Sequence, residues 1–226
     1  DRSIPLETTV TIKGSGAEET VIFFTRPSLI ELREGGNLRL NGLAIDGERA
    51  PDSVGNSMIR TGVYPIQSNL RIELDSVAVR NLNVNKSFNV ITLGKSTLAD
   101  HVSITGSSFA DISGTIVSAS AETEDYGQYN VEYLDIVGNA FANIGGPVAN
   151  IYRGGRDEST FGPNVEITSN ALDNVGLAAT NGTGGSINLH GVQIAAIESN
   201  AVRGSAPFRV VHTVGTPRTQ ITSNAF

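Results

Sequence analysis

The sequence predicts an all-β chain wound as a right-handed parallel β-helix of about seven coils. Three observations predict it. A short phrase, apolar-x-x-(small or polar)-x-apolar, returns at intervals of about thirty residues. The segments between are short, alternating and rich in Val and Ile, as in NVEYLDIVG and SINLHG. No amphipathic stretch at helical spacing exceeds one turn.

The phrase fits Leu40/Leu43/Ile45, Leu74/Val77/Val79, Ile104/Ser107/Phe109 and Ile136/Asn139/Phe141. It continues through Ile167/Asn170/Leu172, Ile197/Asn200/Val202 and Ile221/Asn224/Phe226. Successive first positions are 34, 30, 32, 31, 30 and 24 residues apart, and TTVTIKG at 8–14 starts one more turn. Leu43 and Val77 break the small-or-polar rule in the first two copies. Helical solenoids of this period need amphipathic helices, which are missing. A propeller blade needs four antiparallel strands in roughly 40–50 residues, and hairpin turns of the Asn-Gly kind are scarce. A coil of about three short strands remains.

Coils in such a solenoid stack about 4.8 Å apart, so residues at one phase lie over one another. Asn139, Asn170, Asn200 and Asn224 are therefore expected to form a structural ladder, continued by Ser107. Each amide carries a donor and an acceptor, so the column can bond to itself and to the turn backbone. Asn also tolerates the left-handed backbone that a sharp corner requires, and these Asn residues are expected to supply it. The first and last positions of the phrase are expected in the core on either side of the corner.

A second strand follows each corner: TIVSAS at 115–120, PVANIY at 147–152, SINLH at 186–190 and PFRVVH at 207–212. Alternation turns Val117, Ala119, Ala149, Ile151, Ile187 and Leu189 inward. The outer face then carries Ser118, Ser120, Asn150, Tyr152, Asn188, His190, Val210 and His212. The column Ser120–Tyr152–His190–His212 follows, with Arg209 pointing inward.

The 226 residues suit one domain, 1–226. With no Cys, disulfide scaffolds and thiolate metal sites are excluded. A net charge of -7 without a basic run excludes a nucleic-acid partner held by a broad positive field. No run of 18 apolar residues offers a membrane span. The last phrase ends inside a coil without a polar cap, so the sequence reads as part of a larger protein or as a chain packed on a partner.

Chemistry gathers in a few places. The loop YRGGRDESTFGP, 152–163, places Arg153, Arg156, Asp157 and Glu158 around a Gly pair next to Tyr152. An Arg fork there reads either a carboxylate or the loop's own acids. His190 and His212 serve as hydrogen-bond partners or bases near a sugar, or as turn residues bonded to backbone. Arg218 is expected on the side of His212, whereas His101 is read as positional. Glu122, Glu124 and Asp125 form an acidic loop whose spacing fits no EF-hand. Asn85 and Asn181 begin glycosylation sequons of little weight.

Five phrases together carry a family resemblance: GNSMIRTGVYPI, NLNVNKSF at 81–88, YRGGRDESTFGPN at 152–164, SINLHGVQ at 186–193 and VVHTVGTPRTQI at 210–221. Over nearly the whole chain they resemble the C-terminal parallel β-helix domain of polysaccharide lyase family six, the alginate lyases and chondroitinase B relatives. The resemblance implies a two-domain enzyme that cleaves uronate polymers by β-elimination, with a Lys base, an Arg acid and Ca²⁺ on its N-terminal domain. Lys86 superficially resembles the Lys-bearing phrase, but the flanking Glu ligands are missing. This chain is then the accessory half, with no catalytic residue, metal or cofactor of its own. It would be inactive when isolated and would contribute a groove wall through Tyr152, Arg153, Arg156, Asp157, Glu158, His190, His212 and Arg218. The implied partners are the N-terminal catalytic β-helix domain, alginate and a second copy in a homodimer, and the implied location is secreted or periplasmic. A stand-alone carbohydrate-binding or assembly module is an alternative. So is a self-sufficient lyase using Arg153, Tyr152 or His190.

Overall fold

A computed structural model describes residues 3–62, 67–95, 97–120, 131–152, 163–178, 184–213 and 215–226. The described chain is a parallel β-helix with three sheets, of eight, eight and seven strands, so the expectation of about seven coils holds. Sheet 1 holds Ile4–Leu6, Ile30–Leu32, Ser57–Thr61, Asn89–Leu93, Val117–Ser120, Ala149–Tyr152, Ile187–His190 and Phe208–Val211. Sheet 2 holds Thr9–Lys13, Asn37–Asn41, Gln67–Asp75, Thr97–Thr105, Val131–Val137, Asn164–Thr168, Ile194–Glu198 and Arg218–Thr222. Sheet 3 holds Val21–Phe23, Ala44–Asp46, Ala78–Leu82, Ser108–Ile112, Ala140–Ile144, Ala171–Val175 and Ala201–Arg203. Each strand pairs in parallel with its counterpart one coil away. Among the described residues, no helix is long and apolar enough to cross a membrane.

The repeated phrase is the bend from sheet 2 into sheet 3. Its first residue ends a sheet-2 strand and its last lies in sheet 3, and both enter the core in the inner coils. Ile104, Ile136 and Ile167 are fully buried, as are Phe109, Phe141 and Leu172 to within 2%. Phe109 and Phe141 stack at 5.1 Å, so the aromatic pair follows the coil spacing.

Between them runs the ladder. Asn170 Oδ1 accepts the backbone N–H of Asn139 at 2.9 Å and its side-chain amide at 3.1 Å. Asn170 Nδ2 donates to the Ile136 carbonyl at 2.8 Å and to Asn200 Oδ1 at 3.0 Å. Asn200 and Asn224 repeat the pattern. At the other end Asn139 Oδ1 takes the Ser107 N–H, and Ser107 Oγ takes the Val77 N–H at 3.0 Å. Beyond it, Leu43 and Val77 fill the ladder position with buried apolar groups. The column therefore satisfies corner amides that no strand partner reaches, which is what buried backbone requires.

One expectation is corrected. The left-handed residue of this corner stands just before the ladder residue: Ser76, Gly106, Gly138, Ser169, Ser199 and Ser223 have φ of 53–67°. The ladder side chain turns inward, and its own backbone already leads into sheet 3. Left-handed Asn occurs at the next bend, at Asn81, Asn143 and Asn174, with Asp111 in the same column. There a second, exposed row forms, Asn143 donating to Asp111 at 3.0 Å.

Candidate functional site

Sheet 1 obeys the alternation read from sequence: Val117, Ala119, Ala149, Ile151, Ile187 and Leu189 are all buried. Its outer face presents two columns. The first runs from Glu31 through Arg60, Thr92, Ser118, Asn150 and Asn188 to Arg209. The second runs Tyr152, His190, Val211, and the backbone of Ser120 pairs in register with Tyr152.

The last coil corrects the sequence reading. Phe208 pairs with Ile187 and Val210 with Leu189, and both pack against the core. Arg209 therefore faces outward in register with Asn188, and Val211 takes the place expected for His212. His212 lies one residue past the strand and is exposed. The apolar spacing of Phe208 and Val210 held the correct phase, because a one-residue slip exchanges the two faces. Arg218 is likewise placed elsewhere: it opens the last strand of sheet 2, opposite Ile194. Arg153, Arg156, Asp157 and Glu158 lie outside the described residues, as do Glu122, Glu124, Asp125 and Asn181.

The structure thus brings together Tyr152, His190, Asn150, Asn188 and Arg209. The Tyr152 and His190 rings lie 4.5 Å apart at 45°, with Tyr152 still 40% exposed. Asn188 Nδ2 donates to Asn150 Oδ1 at 2.6 Å. Asn188 is 4% exposed, and among the described residues its buried Oδ1 has no hydrogen-bond partner. Such an orphan acceptor calls for a donor from water or a bound group. Burial, and then the Arg209 charge, lower the His190 pKa and favour the neutral ring. A neutral imidazole offers both a donor and an acceptor. At the other end of the face Arg60 donates to Glu31 at 2.8 and 3.1 Å. Burial opposes ionisation of Glu31, but hydrogen bonds from Arg60 and Arg33 outweigh it and hold the carboxyl below its usual range.

The face therefore grades from an ion-paired end, through hydroxyls and amides, to a ring pair beside a guanidinium. That arrangement suits hydroxyl-rich, anionic ligands: amides for hydroxyls, a ring for apolar C–H faces, and an Arg for a carboxylate. Among the described residues, no three His, Asp or Glu side chains converge to hold a metal.

His101 differs from its sequence reading. It lies within the strand Thr97–Thr105 of sheet 2, its Nε2 2.6 Å from Asp135 Oδ2 and its ring edge-on to Tyr133. The column Asn37–Arg71–His101–Tyr133 stands three residues before each phrase, and the sequence reading does not include it. Asn85 is tied by its amide to the Ser53 carbonyl at 3.0 Å.

No family model matches the chain, and no curated protein matches it. Solved structures do. A family-six alginate lyase, AlyGC, superposes with a TM-score of 0.94 at 38% identity, covering 99% of this chain and 31% of that one. An arginine-to-alanine variant of AlyGC superposes at 0.88 and 32% identity, covering 99% of this chain and 34% of that one. The resemblance read from the sequence phrases thus holds over the whole chain, which shares the β-helix of a family-six alginate lyase. The chain spans about a third of the length of those enzymes.

Proposed function

We propose that this chain is the C-terminal accessory domain of an alginate-type polysaccharide lyase. On this reading the outer face of sheet 1 forms one wall of the groove that holds the uronate polymer. One observation carries it: the Tyr152–His190 ring pair stands beside the Asn150–Asn188 amides, with Arg209 in register. Similarity to AlyGC over 99% of the chain supports the lyase context, and the chain's share of AlyGC, 31%, supports a larger parent.

β-Elimination removes a weakly acidic proton next to a uronate carboxylate, and the charge that develops must be stabilised. The base, the acid and any Ca²⁺ belong to the N-terminal half. This chain's residues bind and orient. Arg209 meets a carboxylate, the neutral His190 and Asn150 bond hydroxyls, and Tyr152 supplies a flat apolar surface. Held in one geometry, a polymer gives up entropy before the chemical step, which makes that step easier. The partners are the N-terminal half and the polymer, and the setting is extracellular or periplasmic.

The test mixes the isolated chain with its N-terminal half on alginate and follows absorbance of the unsaturated product. A rise in kcat/KM over the N-terminal half alone, lost with Tyr152→Ala, is expected. Equal rates with and without the chain would refute a substrate role. Cleavage by the isolated chain alone would show a self-sufficient lyase instead.

A further inference from the structure

We infer that the outer face of sheet 2 carries a second, separate saccharide site, for a neutral oligosaccharide. A groove of about 240 Å³ lies across its first four strands, lined by Arg39, Arg71, Glu73 and His101. Tyr133 adjoins it, 48% exposed and edge-on to His101, with its ring open to solvent. The groove's side chains are paired: Arg39 with Glu73 at 3.1 Å, Arg71 with Asp100 at 3.4 Å and His101 with Asp135 at 2.6 Å. The β-ladder fixes the strand ends of these side chains, so the groove is preorganised. Preorganised sites lose less entropy on binding.

The chemistry points to a polyol. A sugar hydroxyl both donates and accepts, and a guanidinium paired with a carboxylate offers the complementary acceptor and donor side by side. Both Arg side chains remain more than half exposed, so their outer N–H groups can reach a ligand. The Tyr133 ring gives the apolar surface on which a pyranose face packs. Charge argues against a uronate here. Each guanidinium already faces a carboxylate, and the column Arg39–Glu73–Ser103–Asp135–Glu166 continues into two acids. A polyanion laid along this column would meet the further acids Asp135 and Glu166, which repel it. The site therefore differs from the sheet-1 face in ligand charge as well as in position. It would hold the protein to uncharged glycan while the other face engages the acidic polymer, a gain in effective concentration without new contacts at the groove.

Isothermal titration of the chain with cellohexaose and with mannohexaose tests this. At least one is expected to bind. Tyr133→Ala should weaken it about tenfold, a loss of about 1.4 kcal/mol. Tyr133→Phe should retain binding, and Tyr152→Ala should leave it unchanged. Binding of neither sugar would overturn the inference. So would binding that survives Tyr133→Ala, or that a uronate hexamer displaces.

Discussion

Asn170→Ala removes one rung from the middle of the buried ladder. Four hydrogen bonds go with it, between 2.8 and 3.1 Å. The backbone N–H of Asn139 loses its acceptor, and the Ile136 carbonyl loses the amide donated to it. Asn170 is 2% exposed, so water does not replace these partners in the folded coil. Stranding a buried polar group costs about 1–3 kcal/mol, so two such groups cost about 4 kcal/mol together. In a chain of this size 1 kcal/mol moves the melting temperature by about 2–4 °C, so the variant should melt about 12 °C below the parent. Asn143→Gly is the control: Asn143 sits in the exposed row, and its φ of 56° suits Gly. It should cost no more than about 0.5 kcal/mol. Thermal unfolding followed by circular dichroism reads both. A parent-like melt for Asn170→Ala would refute the claim that the inner ladder satisfies the corner backbone.

Two further outcomes follow from the same geometry. A Cβ on Gly145 would stand 2.3 Å from the Ser113 carbonyl oxygen of the preceding coil, so Gly145→Ala should destabilise by about 1–3 kcal/mol or more in urea unfolding. The lowered His190 pKa makes stability pH-dependent. Above the unfolded value of about 6.5 the ring is neutral in both states. As pH falls below it, the unfolded chain takes up the proton first, and stability drops until pH passes the folded pKa. His190→Gln should flatten melting temperature against pH just below 6.5. Asp46 titrates lower: its burial is outweighed by hydrogen bonds from Arg80, Asn81 and the Glu48 amide, so its contribution is lost only in stronger acid.

The coil and its ladder were legible in sequence because a solenoid turns sequence interval into spatial adjacency. Four Asn about thirty residues apart could only stack if the chain rose one strand spacing per turn, and they do. The site was legible in part. Tyr152 and His190 follow from the alternation of ANIY and INLH. Arg209 and His212 did not, because the phase of PFRVVH was set one residue off. There Phe208 and Val210 decide the register, since it buries two apolar groups and avoids the cost of turning a guanidinium inward. Arg71, His101 and Tyr133 share one offset from the repeat, but a column of unlike polar residues gives no pattern until the register is known. Ligand charge could not be read from either face without knowing which acids pair with which arginines.

Recognition of a uronate chain by the outer face of sheet 1 is tested most directly by calorimetric titration of the isolated chain with an alginate hexamer. We predict measurable binding that Tyr152→Ala weakens about tenfold and Tyr133→Ala leaves intact. No binding by the parent chain, or equal binding by Tyr152→Ala, would contradict the account.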